Sequence, residues 1–145
     1  MAIYDKPTTP VANFRITWGW PSDGVLEAII RPAPSETFTR GDIVMLEADG
    51  TAKIADFTNT SGSANVNKAA YFIIDTCNNI DEFLGLKANF HVETTNIEGT
   101  VAVNDKVTAA NGKFKKAEGQ DRVVGKVLRY DSTAGKAEIN WIALD

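Results

Sequence analysis

Apolar and polar residues alternate in short runs along this chain, and turn residues cut the runs apart. Residues 136–142 set Ala137, Ile139 and Trp141 against Lys136, Glu138 and Asn140. A period of two means a strand with one buried and one wet face. Residues 122–130 cluster Val123, Val124, Val127 and Leu128 around Gly125. Upstream, two runs meet at Asn111-Gly112. That pair is a strong hairpin signal, because both residues tolerate the positive φ of a tight turn. Residues 101–141 therefore predict an antiparallel meander. Earlier runs read the same way. FRITWGW, residues 14–20, sets Phe14, Ile16, Trp18 and Trp20 on one face and Arg15, Thr17 and Gly19 on the other. Residues 25–31, 43–46, 51–55 and 70–74 are short apolar strand candidates, with Asp49-Gly50 as a second hairpin turn. In residues 87–95, Phe90 and Val92 oppose His91 and Glu93.

One stretch is ambiguous. In residues 78–86, Asn79 and Glu82 have the spacing of a capping box, and Ile80, Phe83 and Leu84 have helical spacing before Gly85. A single helical turn and a loop are equal readings there. The sum is roughly eight to ten short strands with regular turn signals and at most one short helix. The predicted class is all-β: a compact antiparallel β-barrel or sandwich built from hairpins.

The ends of the pattern divide the chain. Residues 1–13 hold Pro7 and Pro10 with Thr8 and Thr9 between them. Proline lacks the ladder N–H and pushes its predecessor toward extended backbone. This predicts an extended N-terminal arm, followed by a single β domain over 14–145. Residues 58–68, TNTSGSANVNK, predict a polar mobile surface loop. A loose internal repeat also shows: Asp42-x-Val44, Asp49-Gly50 and Lys53 resemble Asp105-x-Val107, Asn111-Gly112 and Lys115, with the turn offset by one residue.

Composition narrows the function. At 145 residues one domain with a real core is expected. The net charge of −4 argues against a nucleic-acid partner. The charge is uneven: residues 101–145 carry 8 basic and 6 acidic side chains, residues 1–100 carry 7 and 13. A single cysteine, Cys77, excludes an internal disulfide framework. MAIYDKPTTP has neither the basic nor the apolar region of a signal peptide, and no apolar run reaches the length of a membrane span, so no membrane partner is expected.

Candidate chemistry is sparse. His91 is the only histidine, and no neighbour in sequence supplies a nucleophile or an orienting carboxylate. Cys77 follows an apolar run and reads as a small buried hydrophobe. One Cys and one His do not make a standard zinc set. Asp42, Glu47 and Asp49, and Asp75, Asp81 and Glu82, read as turn residues rather than as a calcium loop or an acid–base pair. Neither GxGxxG nor GxxxxGK[ST] occurs. Arg40-Gly41-Asp42 spells an adhesion tripeptide but reads as a turn entering a strand. Trp18 and Trp20 read as core or interface anchors, with a sugar-stacking platform as the functional alternative. The expectation is a non-enzymatic protein with no catalytic residue, cofactor or metal.

The C-terminal stretch VAVNDKVTAANGKFKKAEGQDRVVGKVLRYD resembles a pattern of small head proteins of tailed bacteriophages. The matching residues are Asp105, Val107, Thr108, Asn111, Gly112, Phe114, Val123, Val124, Gly125, Val127, Leu128, Tyr130 and Asp131. The entry FTRGDIV, from Phe38, and NNIDEF, from Asn78, look like further segments of the same group. Residues 1–35 match nothing nameable. The resemblance implies a capsid decoration (cement) protein on the outer surface of the virion. Its partner would be the major capsid protein, its form a homotrimer, and its role to tie neighbouring capsomers together. On that reading the capsid or subunit contacts fall on Tyr4, Pro7, Pro10, Phe14, Trp18, Trp20, Asn59 and Asn65. Two alternatives stand beside it: a carbohydrate-binding or adhesin β-module using Trp18 and Trp20, and a tail-tube or baseplate β-protein.

Overall fold

In the computed structural model of the chain, the described residues are 14–19, 26–59, 65, 67–76, 82–88 and 90–143. Twelve strands lie among them: β1 (Phe14–Trp18), β2 (Leu26–Ile30), β3 (Ile43–Leu46), β4 (Ala52–Ile54), β5 (Ala70–Thr76), β6 (Phe83–Ala88), β7 (His91–Thr94), β8 (Ile97–Glu98), β9 (Lys106–Ala110), β10 (Lys113–Lys116), β11 (Gly125–Asp131) and β12 (Lys136–Trp141). They form two sheets. The larger runs β1-β7-β12-β11-β9-β10-β8 and the smaller β2-β6-β5-β3-β4. Every pairing is antiparallel except the short β8–β10 contact. The chain is an all-β curled sandwich, as the alternation predicts.

The inward residues of the two sheets meet in one core. Phe72 of β5 lies at its centre, with its ring 5.1 Å from Phe14, 5.8 Å from Phe90, 6.0 Å from Phe114 and 6.3 Å from Trp141. Around this aromatic nucleus pack Ile43, Leu84, Leu86, Val92, Val107, Val127 and Ile139, all fully buried. β12 keeps strict alternation, with Ala137, Ile139 and Trp141 buried. The Trp141 indole N–H donates to the carbonyls of Lys87 and Ala143, so its polar end is satisfied.

The outer face of the smaller sheet is covered by the chain itself. Ile30, Val44, Ile73 and Phe83 form a second cluster with Phe38 and Ala52. The segment after β2 folds over this cluster: Ala33 donates to the Ala52 carbonyl, Ala52 to the Arg31 carbonyl, and Ile54 N–H to Glu36 Oε1. β5 is thus buried on both faces, which accounts for its unbroken YFII run. The stretch read as a helical turn or loop is, from Phe83 onward, strand β6 between β2 and β5. Long-range pairing overrides the local helical spacing there. Residues 77–81, Cys77 among them, lie outside the described residues.

One side of the sandwich is stitched shut. Ala55 donates to Ile43, Gly112 to Ala55, Ile43 to Gly112 and Phe57 to Ala109, at 2.8–2.9 Å. These bonds tie the β3–β4 hairpin to the β9–β10 hairpin. The Asn96 amide adds to them, donating to the carbonyls of Gly41 and Gly112 at 2.7 and 3.0 Å. On the other side β1 and β2 are the edge strands of their sheets.

Candidate functional site

Strand β1 begins in register with β7: Phe14 faces Thr94, Arg15 faces Glu93 and Ile16 faces Val92. The register then slips, and Trp18 rather than Thr17 faces His91. This is a β-bulge, one extra residue on the edge strand, which turns the following side chain to the opposite face. Without it Trp18 would lie opposite Phe90. That place in the core is filled, since Phe90 stacks on Trp141 at 5.4 Å with only 20° between the ring planes. Trp18 therefore points outward, 58% exposed, with its ring 5.2 Å from His91. The inward placement expected from alternation is corrected for Trp18 and holds for Phe14 and Ile16.

Cross-strand partners in an antiparallel sheet share a face. Trp18 pairs with His91, His91 with Asn140, Asn140 with Lys126 and Lys126 with Lys106. These five residues form one outward row across five adjacent strands, about 19 Å long at the usual strand spacing. Inside the same strands Val92, Ile139 and Val127 are fully buried and hold the row in place. The side chains of His91, Asn140, Lys126 and Lys106 make no hydrogen bond or ion pair among the described residues.

The neighbouring row is different. Arg15, Glu93, Glu138 and Arg129 face one another in turn. Glu93 meets Arg15 at 3.5 Å and Lys136 at 3.6 Å. Glu138 accepts from the Thr17 hydroxyl at 2.7 Å and meets Arg129 at 3.2 Å. Two glutamates directly opposite would repel, and these partners neutralise them. One row is internally satisfied and the other is open to solvent.

The remaining candidates fall elsewhere. Tyr4, Pro7, Pro10 and Trp20 lie outside the described residues. Phe14 is a core residue, edge-on to Phe72, and is not part of the surface. Asn59 is exposed, with its backbone N–H bound to Asp121 Oδ1. Asn65 spends its amide on the Asp56 carbonyl at 3.1 Å. The ends of the polar 58–68 segment are thus anchored to the domain. Arg122 anchors it further, lying over the Phe57 ring at 4.7 Å and donating to the Lys68 carbonyl.

Most of the carboxylates serve turns or ion pairs. Asp42 accepts from Thr39 N–H, Asp49 from Thr51 N–H and hydroxyl. Glu47 pairs with Lys53 at 3.2 Å and with Lys68. Asp75 pairs with Arg40 and Glu82 with Arg31. Lysines beside Glu47 hold its carboxyl below the usual range, Lys68 foremost. Burial pushes the Asp42 carboxyl up, against the opposing hydrogen bonds from Thr39. Among the described residues no three His, Cys, Asp or Glu side chains gather as a metal site, and no helix is long and apolar enough to cross a membrane.

Compared with family models, with curated proteins and with solved structures, the chain matches none.

Proposed function

We propose that the protein is a non-enzymatic structural component of a tailed-bacteriophage virion, a decoration protein that binds the outer surface of the capsid. On this reading its partner is the major capsid protein, and it acts as a homotrimer bridging neighbouring capsomers. The observation that carries the proposal is the stretch with the phage-head resemblance. Its distinguishing residues serve architecture: Asn111-Gly112 is the β9–β10 turn, and Val107, Phe114, Val124 and Val127 are core. Gly125 lets β11 and β12 approach closely, and Asp105 closes the turn into β9. A cyclic oligomer would use one weak contact several times, gaining avidity on a symmetric surface.

The arm over residues 1–13, with Tyr4, Pro7 and Pro10, is assigned to shell contact. An extended proline-containing segment loses little freedom when it lies along a surface. The test is cosedimentation with DNA-free heads of the phage that encodes the chain, beside light scattering of the free protein. The expected result is saturable binding and a solution mass about three times 15.7 kDa. Deleting residues 1–12 should abolish shell binding and leave the circular dichroism spectrum unchanged. Full-length protein that fails to cosediment overturns the function; a deletion that binds normally overturns the role of the arm.

A further inference from the structure

From the outward row Trp18–His91–Asn140–Lys126–Lys106 we infer that the protein has a second binding surface, for an acidic oligosaccharide. This inference does not depend on the capsid reading. Its first support is the bulge, which breaks the β1–β7 ladder and brings a tryptophan out to 58% exposure beside the only histidine. An indole face in water is a stacking surface for the C–H face of a pyranose ring or for another flat apolar group.

The second support is the chemistry along the row. Beyond the aromatic pair lies a half-buried amide, Asn140, which can both donate to and accept from hydroxyls. Beyond it are two exposed ammonium groups, Lys126 and Lys106, without an ion-pair partner among the described residues. Aromatic face, amide and cations in sequence suit a chain of rings bearing hydroxyls and carboxylates. The cross-strand register holds them in line, and the row is long enough for a short oligosaccharide.

The third support decides between polyanions. The next row, two residues along β7 and β12 and about 7 Å away, carries Glu93 and Glu138. Those carboxylates are paired with Arg15, Lys136 and Arg129, so the choice rests on the row itself. Among the described residues it offers only two unpaired lysines on a chain of net charge −4, few cations for a densely charged nucleic-acid backbone. An acidic saccharide has lower charge density, and its hydroxyls can pair with the Asn140 amide. The surface thus favours sugar over nucleic acid.

The experiment is a titration of the ¹⁵N-labelled full chain, followed by NMR, with oligogalacturonate and oligomannuronate as probes. Neutral maltohexaose and an oligothymidylate serve as comparisons. The expected result is saturable shifts of Trp18, His91, Asn140 and Lys126 with an acidic probe. Trp18→Ala and Lys126→Ala should each weaken binding about tenfold. Both residues are exposed, so both variants should fold. Lys116→Ala removes the same charge from an exposed position outside the row and should leave binding unchanged. Failure of both acidic probes to give saturable shifts overturns the proposal. So do shifts that map elsewhere, equal losses in Lys116→Ala, or tighter binding of the oligothymidylate.

Discussion

Thr94 and Thr108 are both buried on strands, at 1% and 0% exposure, yet their hydroxyls differ. Thr94 Oγ1 accepts the Asn96 N–H at 2.9 Å. Thr108 Oγ1 is buried with no hydrogen-bond partner among the described residues. Replacing each by valine keeps the shape and removes the oxygen. Thr94→Val leaves the Asn96 N–H without its acceptor and should cost about 1–2 kcal/mol. Thr108→Val removes an unpaired polar atom and should be neutral or stabilising by up to about 1 kcal/mol. Urea unfolding of the two variants checks the contrast, and equal losses would show that the Thr108 hydroxyl is satisfied. Gly125 is a different case, because its need is space rather than a special φ. A Cβ there would sit 2.6 Å from Ile139 Cγ2 and 3.0 Å from the Asn140 carbonyl oxygen. Strand β12 cannot retreat without moving the core residue Ile139. Gly125→Ala should therefore destabilise by about 1–3 kcal/mol, read as a lower urea midpoint.

Three turns repeat one device at the level of elements. In residues 39–42, 102–105 and 118–121 the first residue donates its N–H to the Oδ2 of an aspartate three positions on, at 2.8, 2.9 and 3.0 Å. The aspartate N–H returns to the first carbonyl. The first two turns place Gly41 and Asn104 at positive φ and launch β3 and β9. This is the physical content of the loose repeat at Asp42 and Asp105. The β3–β4 unit is further fixed by Glu47 with Lys53 and Lys68. Because the folded Glu47 carboxyl is held below its ordinary value, this contribution is present above the unfolded value and is lost as pH falls through the folded one. Asp42, raised by burial, has the opposite sign: it favours the fold more when protonated. Glu47→Gln should thus be less stable than wild type at neutral pH, with the gap closing as the pH falls below the ordinary glutamate value. Urea midpoints across that range test it, and a gap independent of pH would assign the loss to packing instead. Turns and wet-dry alternation were readable locally: Asn111-Gly112, Asp49-Gly50 and the alternation of β7 and β12 all carry near-neighbour signals. The Thr17 bulge was not, because FRITW is consistent with a straight strand until Phe90 and Trp141 occupy the opposing place. Strand β6 was hidden by helical spacing, and the clamp by Asn96 has no local sign at all. The open row joins residues from 18 to 140, and only sheet register brings them together.

Across the whole molecule the two sides of the sandwich are unequal. The side stitched by Ala55, Phe57 and Gly112 carries backbone hydrogen bonds between the hairpins of both sheets. The β1 side has only the single ladder to β7, broken by its bulge. Opening β1 requires losing few hydrogen bonds, though it would expose Phe14 at the rim of the aromatic nucleus. Opening β5 or β9 would break ladders on both sides and uncover the core. Local opening free energies should follow that order, since they range from near zero up to the global value within one fold. Hydrogen exchange should therefore be fastest, among the strands of the larger sheet, at β1 and at the two-residue β8. It should be slowest at β9, β11 and β12, with β5 equally slow in the smaller sheet. Residue-resolved exchange by NMR measures this directly, and β1 amides as protected as those of β12 would refute the asymmetry. The order bears on both proposed surfaces, because Trp18 rides on the least anchored strand. A ligand that stacks on Trp18 and also reaches Asn140 and Lys126 spans β1, β7, β12 and β11. It should therefore slow exchange at β1 more than anywhere else in the sheet, whereas a partner docked elsewhere should leave β1 as labile as before.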